Sequence, residues 1–156
     1  MDDAHAPCPY GELRGLTRAI GHAYEAAFAD VGLTAHQHRL LSEIQRLQAA
    51  RSVDLARALG VDPSTLSRNL KPLLAMGWVR IEEGGDARSH RVRLTESGLE
   101  RYAHGEGQWD LAKAHVVQAL GMRRIARLYA LVEECRSALA LEGLDVDHPT
   151  GHAAAG

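Results

Sequence analysis

Apolar residues recur every three or four positions along most of this chain, a spacing that predicts helices with one buried face. Six segments show this spacing: 11–30, 33–47, 51–60, 63–74, 95–120 and 122–141. Two shorter segments, 78–82 and 91–94, alternate apolar and polar residues instead, which is typical of half-buried strands. The pattern therefore predicts a mainly α fold with a small β-hairpin, an α+β class. With 156 residues, one domain is the simplest organisation.

The segment 63–74 differs from the other predicted helices because its polar side consists of short side chains. Asp62 is placed to cap its N-terminus, and Pro63 occupies the first helical position, where a missing N–H costs nothing. The polar side is formed by Ser64, Thr65, Ser67, Arg68, Asn69 and Lys71. Such a face offers donors and acceptors to base edges in a major groove. Pro72 removes a backbone hydrogen bond, so we expect base reading to end by Lys71.

The preceding segment, 51–60, is predicted to form a shorter helix with Ser52 as its N-cap. Its buried stripe is expected to consist of Val53, Ala56 and Leu59. Two short helices joined by a tight turn at Gly60, the second with a polar start, indicate a helix-turn-helix. Ser52 is then expected to meet backbone phosphate at the N-terminus of its helix.

The two predicted strands are joined by the glycine-rich loop 83–90, which we predict to be a wing. Arg88 is the cation of this loop and would reach a minor groove or the DNA backbone. Asp86 would be of no use against phosphate, so we interpret it as a brace that orients an arginine by a charge-assisted hydrogen bond. His90, the last residue of the loop, and Arg91, which follows it, are predicted to contact the DNA backbone.

In this order, these pieces resemble the MarR (multiple antibiotic resistance regulator) family of winged helix-turn-helix transcriptional regulators. The resemblance covers about 8–142 and rests on Leu33-Thr34, Gln37, the helix from Ser52 to Gly60, Thr65-Leu66-Ser67-Arg68-Asn69-Leu70, Gly77-Trp78-Val79, Asp86-Ala87-Arg88 and Leu94-Thr95-Glu96-Ser97-Gly98. It implies an obligate homodimer whose two recognition helices bind a near-palindromic operator in double-stranded DNA. It also implies a repressor that a small-molecule effector or an oxidant releases from that operator.

Within a single MarR-type domain, 1–156, we assign 33–94 to the winged helix-turn-helix DNA-binding region. The segments 8–32 and 95–142 are assigned to dimerisation. Their helices carry apolar faces that a monomer would expose, which separately favours a partner chain. The tail 143–156 is rich in Gly, Ala, Asp and His and is expected to be flexible.

Charge is distributed unevenly along the chain. The net charge is −2 at pH 7, yet 51–94 has eight Arg or Lys and five Asp or Glu, a net charge of +3, which leaves −5 elsewhere. This distribution fits local phosphate contact by a basic reading head. No run of about 18 apolar residues could cross a bilayer, and Met1-Asp2-Asp3 lacks the features of a secretion signal. We therefore expect a cytoplasmic protein without a membrane partner.

The sequence says less about the signal that the protein senses. Cys8 lies between two prolines at the entry to the first helix, where helix polarity favours a reactive thiolate, so it is a candidate redox sensor. The alternative is an unreactive thiol, which is the interpretation of Cys135 at an apolar helical position.

The resemblance also implies a cleft between helices that holds a small ligand, here a phenolic or aromatic effector. Candidate residues of this effector pocket are His22, His36, His38 and His104. His36 and His38 do not share a helix face. Because no pair of histidines has the close spacing of a preformed site, neither a metal site nor a cofactor is predicted, and metal sensing is a minor alternative.

Two other function classes fit the chain less well. An enzyme is not expected, since no serine lies in a nucleophile elbow and no glycine-rich phosphate loop follows a strand, so no catalytic residue is predicted. A winged-helix protein-interaction module without DNA binding is the alternative function. It would not need cations on both the helix and the wing, and the chain has four there: Arg68, Lys71, Arg88 and Arg91.

Overall fold

The computed structural model describes residues 8–83 and 90–144. Its elements are α1 (Pro9–Ala27), α2 (Ala35–Leu47), β1 (Ala50–Arg51), α3 (Ser52–Leu59), α4 (Pro63–Ala75), β2 (Val79–Glu83), β3 (His90–Leu94), α5 (Glu96–Leu120) and α6 (Met122–Leu141). The predicted mainly α fold with a small β element is confirmed. The predicted wing residues Asp86 and Arg88 lie outside the described residues, as do positions 145–156 of the predicted tail.

Three of the helices begin at side-chain caps that are visible in the sequence. Thr34 and Gln37 form a reciprocal capping box at the start of α2. Asp62 accepts from the Thr65 N–H at the start of α4, and Thr95 accepts from the Gly98 N–H at the start of α5. These caps satisfy backbone donors that a helix leaves unpaired and so fix where each element begins.

The prediction for α3 is wrong in two details. The N-cap is Arg51 rather than Ser52, which is the first helical residue, and no side chain caps this helix. Val53 is 61% exposed, because Leu55 faces the core. A residue two positions away lies about 200° around the helix and therefore points to the opposite side. The residues that α3 buries are Leu55, Ala56 and Ala58.

The β-sheet has three antiparallel strands in the order β1-β3-β2, one more than predicted. Ala50 in β1 pairs with Val92, which on its other side pairs with Ile81. Val92 is completely buried, so the central strand of the sheet packs against the core. Because β1 has only two residues, it is too short to show an alternating pattern in the sequence.

The core lies between α2, α3, α4 and the sheet. Its fully buried aliphatic side chains include Leu40, Leu41, Ile44, Leu55, Leu66, Leu73 and Val92. The inner face of α4 contributes to this core through Leu66, Leu70 and Leu73, so the opposite face of that helix is held outward. The helix continues through Pro72 to Ala75, and the Met76 N–H donates to the Pro72 carbonyl at 3.0 Å.

The helix α1 packs along α5, whereas α6 packs against little of the described chain, and all three leave apolar side chains exposed. No residue of α1 is buried, and Ile125 is the one buried residue of α6. Large apolar side chains that remain exposed on α1, α5 and α6 include Tyr10, Leu13, Leu16, Leu111, Met122, Tyr129, Leu131, Val132 and Leu139. No helix within 8–83 and 90–144 is both long and apolar enough to span a membrane.

Candidate nucleic-acid interface

The turn between α3 and α4 is set by Gly60. This residue adopts a left-handed conformation, with φ 63° and ψ 42°, in which glycine avoids the steric cost of a Cβ. The Gly60 N–H donates to the Arg57 carbonyl at 3.1 Å and the Val61 N–H donates to the Ala56 carbonyl at 3.1 Å. The chain then enters α4 directly at the Asp62 cap, so the direction of α4 follows from this turn.

The outer face of α4 carries the polar residues that the sequence singled out. Ser64, Ser67, Arg68 and Lys71 are exposed, whereas Thr65 and Asn69 are half-buried. Asn69 lines a small cavity together with His36, Arg39, Leu40, Leu59 and Val61. Asn69 therefore faces sideways toward α2 and α3 rather than outward with its neighbours.

A chain of hydrogen bonds orders the first turn of α4. The Asp62 carboxylate accepts from the hydroxyls of Ser64 and Thr65 and from the Thr65 N–H at 2.8 Å. Thr65 Oγ1 in turn accepts from Arg68 Nη2 at 2.9 Å. The hydrogen bonds from Ser64 and Thr65 hold the pKa of the Asp62 carboxyl well below its usual range. The carboxyl is thus ionised, and Arg68 lies along the same network.

The base of the predicted wing carries two arginines that are not among the predicted site residues. Arg80 and Arg93, on neighbouring strands, both bind Glu82, at 2.8 Å and 2.7 Å. These two arginines lower the pKa of the Glu82 carboxyl, Arg80 more than Arg93. Their charge is therefore partly neutralised within the sheet. The antiparallel register of β2 and β3 places Arg80 opposite Arg93, and this register cannot be read from the sequence alone.

The two predicted backbone contacts at the wing base, His90 and Arg91, are exposed at the start of β3. Arg91 Nη1 donates to the Ala49 carbonyl at 3.0 Å, which ties β3 to the junction between α2 and β1. Ser52 is half-buried at the first position of α3. The neighbouring Arg51 forms an ion pair with Asp54 at 2.9 Å.

The four histidines predicted for an effector pocket lie in different surroundings. His38 is fully buried, with its ring stacked on Tyr102 at 5.6 Å between centroids, while His22, His36 and His104 are exposed. His38 Nε2 lies 3.2 Å from Glu106 Oε1. Burial and a hydrogen bond with Glu106 raise the pKa of Tyr102 to about 12. This cluster joins α2 of the helix-turn-helix region to α5.

The candidate sensor residues are accessible within this chain. Cys8 is the N-cap residue of α1, as predicted at a helix entry, and its thiol is free and exposed. Cys135 on α6, which was interpreted as an unreactive thiol, is also free and exposed in the single chain. Across 8–83 and 90–144, no group of three or more His, Cys, Asp or Glu side chains is arranged to hold a metal ion.

Two short helices at a tight turn, the second with an exposed polar face, and a following β-hairpin define the winged helix-turn-helix class. A model of the MarR family matches residues 31–89. The chain is 33% identical to the M. tuberculosis transcriptional regulator MosR, in a structure with DNA, with a TM-score of 0.68 over 83% of this chain and 98% of that chain. This protein belongs to the MarR family and is a DNA-binding transcriptional regulator rather than an enzyme.

More distant relatives share the fold. A mutant of E. coli MarR in a structure with operator DNA is 22% identical, with a TM-score of 0.75 over 86% of this chain and 99% of that chain. The transcriptional regulator SlyA is 20% identical, with a TM-score of 0.71 over 85% of this chain and 94% of that chain. A search of curated protein sequences finds no significant match.

Proposed function

We propose that this protein is a homodimeric repressor that binds a near-palindromic operator in cytoplasmic DNA through α4. The observation that carries the proposal is the outer face of α4, where Ser67, Arg68 and Lys71 are exposed while Leu66, Leu70 and Leu73 anchor the helix in the core. A helix held in this way presents its polar face before DNA binds, which lowers the cost of ordering the backbone on binding. The structure of MosR with DNA, at 33% identity, supports the same mode of action.

The homodimer is supported by the exposed apolar surface of the terminal helices. Tyr10 and Leu13 on α1 are 70% and 56% exposed, and Tyr129 and Leu131 on α6 are 66% and 56% exposed. Large apolar side chains exposed in this number mark interfaces in soluble proteins. A second copy would cover them and would place two α4 helices for two half-sites, as the two-fold symmetry of a palindromic operator requires.

The residues divide between base reading and backbone positioning. We assign Arg68, Thr65 and Ser67 to the major groove, with Ser64 and Asn69 beside them. Lys71, Ser52, His90 and Arg91 are assigned to backbone phosphate, Arg88 to the minor groove, and Asp86 to bracing the wing. The exposed positions of Arg68, Lys71 and Arg91 are compatible with these roles.

Arg68→Ala is expected to weaken operator binding by about 1–3 kcal/mol per recognition helix, because a bidentate base contact is worth about that much. The measurement is fluorescence anisotropy of a labelled duplex at several salt concentrations. Arg123→Ala is the matched control, since Arg123 is exposed on α6 outside the helix-turn-helix. Equal operator affinity for the Arg68 variant and the control would contradict the assignment of α4.

We propose that a small phenolic or aromatic effector, or an oxidant acting on Cys8, releases the operator. Release requires the signal to favour a spacing of the two α4 helices that does not fit DNA. The cluster of His38, Tyr102 and Glu106 joins the helix-turn-helix to α5 and offers a route for that coupling. The anisotropy titration is repeated with hydrogen peroxide for the wild type and for Cys8→Ser. Loss of binding only when Cys8 is present identifies the oxidant as the signal, whereas indifference of both proteins supports the small-molecule effector.

A further inference from the structure

The hydrogen bonds in the first turn of α4 assign a direction to two hydroxyl protons. An ionised carboxylate accepts hydrogen bonds and has no proton to donate. Because Thr65 Oγ1 lies 2.7 Å from Asp62 Oδ2, the proton in this hydrogen bond belongs to Thr65. The same reasoning applies to Ser64 Oγ and Asp62 Oδ1. Each hydroxyl has a single proton, so both protons are used within the protein.

The direction of these protons determines what each hydroxyl offers to its surroundings. Thr65 Oγ1 retains lone pairs, and Arg68 Nη2 donates to one of them at 2.9 Å. A hydroxyl that donates to a carboxylate is polarised and becomes a better acceptor, because hydrogen bonds in a chain strengthen one another. Asp62 therefore acts on Arg68 through Thr65, although no direct hydrogen bond joins Asp62 and Arg68 in the part of the chain that the structure describes.

We propose that Asp62 is a positioning residue for operator recognition, which it serves by holding Arg68 through Thr65 in the orientation that meets its base pair. Asp62 also leaves the Ser64 and Thr65 hydroxyls as acceptors only. Toward DNA they accept from the amino groups of adenine or cytosine and do not donate to phosphate. This inference rests on the proposed function, because it concerns how α4 selects its sequence.

The sign of the expected effect separates this role from simple electrostatics. A carboxylate close to DNA repels phosphate, so its removal strengthens binding to any duplex. If Asp62 positions Arg68, its removal also weakens the preference for the operator. Asp62→Asn distinguishes the two, because asparagine caps a helix about as well as aspartate but presents an amide that donates where the carboxylate accepted from Thr65.

The probe is a labelled duplex that the wild-type protein selects from a random-sequence library, compared with a scrambled duplex of equal length. We expect Asp62→Asn to bind the scrambled duplex more tightly and to lower the ratio of operator to scrambled affinity about three- to tenfold, the cost of ordering one long side chain. Its thermal midpoint stays at the wild-type value. Asp54→Asn is the charge-matched control, which removes an exposed carboxylate from the first turn of α3 and leaves the ratio unchanged.

Two further variants test whether the effect passes through Thr65. Thr65→Val removes the hydroxyl and lowers the ratio as Asp62→Asn does, while Thr65→Ser retains the hydroxyl and the wild-type ratio. The double variant of Asp62→Asn and Thr65→Val is no worse than the poorer single variant, since both interrupt one chain of hydrogen bonds. Single-base substitutions in the selected duplex should stop affecting the affinity of Asp62→Asn at the same positions where they stop affecting the affinity of Arg68→Ala.

Three results would overturn the positioning role while leaving the proposed function intact. They are an unchanged affinity ratio in Asp62→Asn, additive effects of the two single variants, and loss of discrimination at positions that Arg68 does not read. If the wild-type protein selects no duplex from the library, the proposed function fails, and the positioning role fails with it.

Discussion

Gly98→Ala is expected to destabilise the protein by about 3 kcal/mol or more, which would make it one of the most damaging single substitutions in the chain. A Cβ at Gly98 would overlap the Trp78 carbonyl oxygen and would lie 2.8 Å from the Trp78 carbonyl carbon. Both neighbours are backbone, so no side chain can rotate to make room. The Trp78 carbonyl is further fixed because it accepts from the Thr95 N–H at 3.0 Å.

Gly107→Ala provides the matched control on the same helix. Gly107 also lies within α5, but a Cβ there has no neighbouring atom within 4 Å. Alanine in a helix interior is favoured over glycine by about 0.5–1 kcal/mol, so this variant should be slightly more stable than the wild type. The check is thermal unfolding followed by circular dichroism, in which Gly98→Ala should lower the midpoint by roughly 6–12 °C. Equal midpoints for the two variants would show that α5 does not begin against Trp78.

Charged substitutions in the apolar stripe of α6 should separate the protein into monomers and weaken operator binding by about 100-fold or more. Val132 and Leu139 lie seven residues apart on one face of α6 and are 38% and 43% exposed in the single chain. In the proposed dimer, the double variant Val132→Glu and Leu139→Glu places unpaired carboxylates at the interface, where burial of a charge is costly. Two linked recognition helices bind with avidity of about 10²–10⁴ over one, and monomers lose it.

Analytical ultracentrifugation gives the mass of these species directly. The wild type should sediment at twice the chain mass of 16.9 kDa and the double variant at the chain mass. Glu133→Gln is the control, because it changes charge on the same helix and removes no apolar surface. A monomeric wild type, or a double variant that stays dimeric and binds DNA normally, would argue against the terminal helices as the interface.

Helices with a long run of apolar residues at helical spacing, or with a side-chain cap, could be predicted from the sequence. The limits of α6 agree with the prediction at both ends, and the caps at Asp62 and Thr95 mark the starts of α4 and α5. The predicted start and end of α1 were less accurate, at 11 and 30 against Pro9–Ala27, because apolar residues continue past Ala27 into the loop. Periodicity identifies a helix better than it identifies the residue where the helix ends.

The features that sequence analysis missed depend on contacts between distant parts of the chain. Strand β1 exists because Ala50 pairs with Val92, and the inner face of α3 is set by what Leu55 packs against. His38 and Glu106 are 68 positions apart, and no local pattern brings them together. The acceptor role of the Ser64 and Thr65 hydroxyls is an intermediate case. Asp62-Pro63-Ser64-Thr65 signals a capped helix in the sequence, but the direction of the protons follows only from the geometry.

We expect this protein to bind DNA in a sequence-specific manner through α4. The most direct test is an anisotropy titration of the wild-type protein against a duplex that includes the DNA flanking its own gene and against a random duplex, each across a salt series. We expect tighter binding to the flanking DNA, with an affinity for both duplexes that falls steeply as salt rises, because phosphate contacts release counterions. Equal affinity for the two duplexes, or binding that is insensitive to salt, would contradict the claim and would favour a winged-helix module that binds protein instead.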